Sequence, residues 1–254
     1  MKPLPYRAVI VDLDRTLLRT DKTISETTRQ VLLEWEARGA CVYAATARPE
    51  RAIEDYYRII PFRSAVTLNG ARIITPAGVR ENPIAPDSAA AILEQLYGIP
   101  GAVISVETGN GIYASQDIPE WRPKVAEDVR ILPEKEKIYK ILASHPSLET
   151  DRLKVAEPEG VYSTIAERKL IQYMSRSATK WNGILQALRE DGIPAEEAIC
   201  FGDDHDDIEP IRMCGRGVAV SNALDCVKQA ADDIALSNDD DGVAKYLAGL
   251  LRQD

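Results

Sequence analysis

Val9-Ile10-Val11-Asp12-Leu13-Asp14-Arg15-Thr16-Leu17-Leu18 is an apolar run with two aspartates at its mouth. Together with Ala8, the apolar residues predict a strand buried on both faces, as in parallel sheets. In open α/β sheets ligands gather outside the carboxyl ends of such strands, and Asp12 falls at that place. Residues two apart on an extended segment point the same way, so Asp12 and Asp14 can face one site. Two carboxylates so close repel unless a cation or a shared proton separates them. The motif therefore asks for a metal.

Outward from this strand, the chain alternates apolar strands with amphipathic helices. Ser25 reads as the N-cap of a helix carrying Val31, Leu32 and Trp35 inward and closed by Gly39. Ala40–Ala45 and Ala65–Leu68 read as further buried strands, with Pro49 opening a helix between them. This β-α-β-α-β order implies a parallel sheet with right-handed crossovers.

From about residue 80 to 177 the rhythm changes to short apolar runs punctuated by Pro and Gly, including the hairpin signal Gly109-Asn110-Gly111. Strands are expected at Lys137–Ala143, Val161–Ala166 and Lys169–Met174, and helices at Pro86–Leu96 and Leu148–Val155. From Thr179 the α/β rhythm resumes. Helices are expected over Lys180–Glu190, Asp207–Met213, Leu224–Ala230 and Val243–Leu251, and strands at Ala198–Phe201, Gly217–Val220 and Ile234–Leu236. The expected fold class is therefore α/β: a Rossmann-like parallel-sheet core with helices on both faces, formed by 1–80 and 178–254, with an α+β cap domain at 81–177.

Four separated pieces complete a phosphate and metal site: Asp12-Leu13-Asp14-Arg15-Thr16; Thr46 in Ala44-Ala45-Thr46-Ala47-Arg48-Pro49; Lys180; and Gly202-Asp203-Asp204-His205-Asp206-Asp207. Three of them sit at strand carboxyl ends, so one crevice can collect all four. Each also has a plainer structural use. Thr46, Asp203 and Asp207 are good helix caps, and Lys180 is a common first-turn residue. The acidic run Asp239–Asp241, ahead of the final helix, reads as structural.

In motif order and spacing, essentially the whole chain resembles the haloacid dehalogenase-like phosphatases of the Cof type, which carry a large α+β (C2-type) cap. The resemblance implies that Asp12 is the nucleophile, forming an aspartyl-phosphate, and that Asp14 is the general acid and base. It implies Mg²⁺ held by Asp12, the Asp14 main-chain carbonyl, Asp203 and Asp207, an all-oxygen set that suits this ion. Thr46, the Ala47 N–H, Lys180 and the position of Asp206 would bind phosphate. Three positions depart from the family pattern. Arg15 and Ala47 stand where glycine is usual, and Asp206 where asparagine is usual, putting a carboxylate near a phosphate dianion.

The resemblance implies a phosphatase acting on a small phosphorylated metabolite, such as a sugar or polyol phosphate, because a large cap excludes polymers. A phosphomannomutase-like phosphomutase and a non-catalytic phospho-metabolite-binding protein are the alternatives. A receiver module is excluded by the order of Lys180 before Asp203 and by the intervening insertion.

Composition bounds the rest. The 254 residues carry a net charge of −9 and 45% hydrophobic residues, an ordinary soluble balance without a basic patch for nucleic acid. No apolar run approaches the roughly 20 residues a membrane span needs. The opening Met1-Lys2-Pro3-Leu4-Pro5-Tyr6-Arg7 has no signal-peptide pattern, so a cytoplasmic location is expected. Cys41, Cys200, Cys214 and Cys226 form no C-x-x-C pair and are expected to be free thiols. Monomer and homodimer both stay open.

Overall fold

The computed structural model describes residues 4–166 and 170–252; Met1–Pro3 and the expected strand start at Lys169 lie outside the described residues. In chain order the first elements are β1 (Ala8–Val11), α1 (Glu26–Ala37), β2 (Cys41–Ala45), α2 (Glu54–Tyr57), β3 (Ser64–Thr67), β4 (Arg72–Thr75) and β5 (Gly78–Glu81). Next come α3 (Pro86–Tyr97), β6 (Val103–Thr108), β7 (Gly111–Ala114), β8 (Lys124–Val125), β9 (Ile138–Ser144), β10 (Val161–Ala166) and β11 (Leu170–Ser175). The last are α4 (Lys180–Glu190), β12 (Ala198–Gly202), α5 (Ile208–Met213), β13 (Arg216–Val220), α6 (Asp225–Ala230), β14 (Asp233–Ala235) and α7 (Gly242–Arg252).

The chain divides into two compact units. One runs to Arg80 and resumes at Thr179; the other is Glu81–Ala178. The first holds an eight-stranded sheet in the order β14-β13-β12-β1-β2-β3-β4-β5. All neighbours from β14 to β3 are parallel, and β4 joins β3 antiparallel. All four residues of β1 are fully buried at the sheet's centre, which explains its unbroken apolar run. From β1 the chain moves outward first through β2 and β3, then in the opposite direction through β12, β13 and β14. Helices lie on both faces of this sheet, α1 packing beside α7 and α4 beside α5.

Helix α1 starts where expected, with Ser25 accepting the Thr28 N–H, and it buries Thr28, Leu32 and Trp35. Pro49 does not open a long helix. A single 3₁₀ turn, Glu50–Ala52, precedes the four-residue α2.

The inserted unit has its own six-stranded sheet, ordered β10-β11-β9-β6-β7-β8. Its apolar face takes Ile104, Val106, Ile141 and Tyr173, packed with Ile92, Leu93 and Leu96 of α3. The expected helix over Leu148–Val155 is only a 3₁₀ turn, Thr150–Leu153. Eight residues are too few for a stable helix unless one face packs well. Here the His145 ring accepts the Ser147 and Leu148 N–H groups and shapes a turn instead.

All four cysteines are free, Cys200 and Cys214 buried. Among the described residues, no helix is long and apolar enough to cross a membrane.

Candidate active site

The site lies in the first unit, where β1, β2 and β12 end. Register places Val11 beside both Phe201 and Ala44, so the residues that follow these strands emerge together. The Asp12 N–H donates to the Phe201 carbonyl, extending the β1–β12 ladder to the site's edge.

Asp12, Asp203 and Asp207 are all buried, and one carboxylate oxygen from each lies within 4.8 Å of the others. Lys180, the first residue of α4 and itself only 5% exposed, enters this cluster. Its ammonium donates to Asp12 Oδ1 and Asp207 Oδ1, both at 2.7 Å. The other oxygen of Asp207 accepts the N–H groups of Asp203 and Asp204, at 3.0 and 3.1 Å. Asp207 is therefore both a turn cap and a partner of Lys180. Gly202 makes this fold-back possible, because a Cβ there would stand 2.3 Å from that of Asp207. Thr16 completes the floor, its hydroxyl donating to Asp203 Oδ1 at 3.1 Å.

Three carboxylates and one ammonium leave the floor two negative charges in excess. Burial pushes the Asp12 carboxyl well above its ordinary value, against the pull of Lys180 and with help from Asp207 and Asp203. Burial and Asp207 likewise raise Asp203 to about 6. Burial opposes the charge of Lys180, but Asp12, Asp207 and Asp206 outweigh it and hold the ammonium well above its usual range. This imbalance is what a divalent cation relieves, and the oxygen-only donors suit a hard ion. The carboxylates of Asp12, Asp203 and Asp207 are the ones that could hold it.

The rim is cationic. Asp14 is half-buried, and Arg48 grips it with two bonds, Nε to Oδ2 at 2.6 Å and Nη2 to Oδ1 at 2.7 Å. Lys22 adds a third at 2.7 Å. Burial acts to raise the Asp14 carboxyl, but these bonds pull it down to about 2.

The loop bearing Asp12–Lys22 is pinned from beneath. Asp241 takes Arg19 through both carboxylate oxygens, Asp239 accepts from the N–H and hydroxyl of Thr20, and Asn238 donates to the Leu18 carbonyl. The acidic run at 239–241 thus serves structure, as its sequence suggests.

Thr46 follows β2, is buried, and accepts the Arg48 N–H. Ala47 beside it is exposed and is not among the left-handed residues, so an alanine fits there without strain. Arg15 does adopt φ 60°, the left-handed conformation that glycine takes most easily. Asp206 accepts a hydrogen bond from Asn69. Leu68 and Asn69 are also left-handed, and Gly70 completes the turn at φ 93°, where a Cβ would stand 2.2 Å from the Thr179 carbonyl oxygen.

Every predicted site residue thus lies in one unit, with Asp12, Asp203, Asp207 and Lys180 in direct cluster. Sequence reasoning gave no role to Thr16, Lys22 or the Arg48 grip on Asp14. Only the motif position of Thr16, two residues after Asp14, could have signalled it. The Lys22 and Arg48 contacts arise from tertiary folding.

A family profile for haloacid dehalogenase-like hydrolases matches residues 9–247. The 5-amino-6-(5-phospho-D-ribitylamino)uracil phosphatase YitU of Bacillus subtilis is 26% identical over 97% of this chain and 98% of its own. The pyridoxal phosphate phosphatase YbhA of Escherichia coli is 24% identical over 95% and 97%. The phosphatase BT1666 of Bacteroides thetaiotaomicron superposes with a TM-score of 0.85 at 20% identity, covering 96% of this chain and 95% of that one. The chain therefore belongs to the haloacid dehalogenase-like hydrolases, in their Cof branch, and is a phosphoric monoester hydrolase.

Proposed function

We propose that the protein is a Mg²⁺-dependent phosphatase that hydrolyses a small sugar or polyol phosphate through an aspartyl-phosphate on Asp12. One observation carries this reading: Lys180 bridges Asp12 and Asp207 beside Asp203, in a buried cluster two charges short of neutral. The relatives' substrates, a ribityl phosphate and pyridoxal phosphate, support a small phosphorylated metabolite.

The Asp12 carboxylate attacks phosphorus in line and the bond to the leaving oxygen breaks. Lys180 aligns Asp12 through its 2.7 Å bond and offers positive charge to the phosphoryl oxygens, with the Thr46 hydroxyl and the Ala47 N–H as further donors. Asp14 supplies the proton that the leaving alkoxide needs, then takes one from the water that cleaves the Asp12–phosphorus bond. Bound by Arg48 and Lys22, Asp14 is ionised, the form required for the second step. The first step requires that substrate loosen this grip. A Mg²⁺ held by Asp12, Asp203, the Asp14 main-chain carbonyl and Asp207 would neutralise phosphoryl charge.

The test is phosphate release from a panel of sugar and polyol phosphates, with Mg²⁺ or with EDTA, for wild type and Asp12→Asn. Release that needs Mg²⁺ and disappears in Asp12→Asn is expected. Release that survives in Asp12→Asn overturns the covalent route. Phosphate that moves between sugar hydroxyls without release favours the phosphomutase.

A further inference from the structure

Arg15 occupies a backbone position that costs any residue with a side chain, at φ 60°. It is held there from both ends. The Asn222 side-chain amide donates to the Arg15 carbonyl at 2.7 Å, and Arg15 Nη2 donates to the Asn222 carbonyl at 3.2 Å. Asn222 is anchored in turn, accepting the Asn238 N–H through Oδ1. The outcome of this bracing is that Arg15 Nε stands 3.6 Å from Asp203 Oδ2. The other Asp203 oxygen belongs to Thr16.

We propose that Arg15 is a built-in counter-charge that competes with the divalent cation for Asp203 and so sets the metal affinity of the site. The inference rests on the metal reading above. Among the described residues, the buried floor holds Asp12, Asp203 and Asp207 against the single ammonium of Lys180. Arg15 offsets one of the two excess charges from the rim. An incoming cation must displace that guanidinium or bind beside it, and either reduces the net gain on binding. A glycine here would remove both the strain and the competitor. An arginine retained despite the strain trades metal affinity for a site that is less repulsive when metal-free. The guanidinium side chain is 61% exposed, so it can swing outward when the cation arrives. The enzyme's loading would then follow free Mg²⁺ over a higher concentration range than a glycine would give.

The experiment is calorimetric titration of Mg²⁺ into metal-free protein near neutral pH, for wild type, Arg15→Gln, Arg15→Gly and Arg58→Gln. Arg58, on the turn after α2, pairs with exposed Asp55, its one ion-pair partner among the described residues, and controls for net charge. Arg15→Gln and Arg15→Gly are both expected to bind Mg²⁺ on the order of fivefold more tightly, and Arg58→Gln as wild type does. Unfolding without metal separates charge from strain: Arg15→Gly gains from strain relief, while Arg15→Gln keeps the strained backbone. Tighter binding in Arg15→Gly alone overturns the proposal in favour of a purely conformational role. Equal affinity in wild type and both variants overturns it while leaving the metal reading intact. Absence of Mg²⁺ binding in all four proteins overturns the metal reading and the proposal with it.

Discussion

Asp12 and Asp14 stand two residues apart on one loop, yet their surroundings drive them in opposite directions. Asp12 belongs to a buried floor with too many carboxylates, and burial pushes its carboxyl up. Asp14 belongs to a rim of cations, and Arg48 and Lys22 pull its carboxyl down to about 2. Carboxylates separated in this way by their environments take different roles in one reaction. The floor concentrates negative charge where a cation and a phosphoryl group are needed. The rim keeps a proton acceptor ionised at its edge.

The floor should break hardest. Lys180→Ala leaves three buried carboxylates without the one buried cation that reaches them among the described residues, and removing one partner of a buried ion pair costs about 3–5 kcal/mol. Urea unfolding of the metal-free protein should show a loss of that size, partly restored by saturating Mg²⁺. A loss below about 1 kcal/mol would mean that water, rather than Lys180, compensates the floor.

The same excess charge gives a pH dependence. Asp203, raised to about 6, binds its proton more tightly in the folded chain than in the unfolded one. Between about pH 4 and 6 the metal-free protein should therefore lose stability as pH rises, by at most about 3 kcal/mol. Bound cation should flatten this slope. A metal-free stability that rises steadily through the window would contradict the crowding of Asp203.

Gly202→Ala tests the turn rather than the charge. Its Cβ would press on Asp207 at 2.3–2.8 Å, an overpacking worth about 1–3 kcal/mol. Because the turn carries Asp203 as well, Mg²⁺ affinity should fall with stability. Lost stability with unchanged affinity would separate the turn from the metal site.

Much of the floor is legible from sequence because strand ends collect residues that are distant along the chain. The fully buried β1 run announces a central parallel strand, and Asp12, Thr46 and Asp203 follow from where β1, β2 and β12 stop. The rim is less legible. Lys22 reaches Asp14 only because the loop between them turns back, pinned by Asp239 and Asp241. Sequence does not link Arg48 to Asp14, whose two carboxylate oxygens its guanidinium grips. The same limit explains the missed edge of the sheet. β4 is a four-residue strand with only alternate residues buried, and β5 is mostly exposed, too little pattern to separate them from a turn. In the insertion, Leu148–Val155 has a helix-like composition but lies after a His145-centred turn that sets another course.

At the rim the effects should be smaller and fall mainly on the pH profile. Arg48→Gln removes both forks from Asp14, so the acid limb of the rate profile should move up toward the ordinary carboxylate range. Lys22→Gln should move it less, since Lys22 is 51% exposed against 23% for Arg48. Asp14 is itself 37% exposed, so either change should cost no more than about 1 kcal/mol of stability, felt in full above the pH at which an unperturbed carboxylate ionises and fading as pH falls toward about 2. An acid limb that ignores Arg48 would place the rate-controlling ionisation elsewhere.

Asp206 lies where floor and rim meet, and its substitution offers the finest test. Its carboxylate accepts from Asn69 and, after Asp12 and Asp207, supports the charge on Lys180. Asparagine would keep an oxygen for Asn69 and remove one negative charge from the neighbourhood of the phosphoryl group. Asp206→Asn should then strengthen inhibition by inorganic phosphate by about threefold, with stability changed by no more than about 0.5 kcal/mol. Unchanged inhibition would mean that the charge of Asp206 does not act on the bound phosphate. Weaker inhibition would mean that its support of Lys180 outweighs its repulsion of phosphate, making the departure from asparagine a gain for the site.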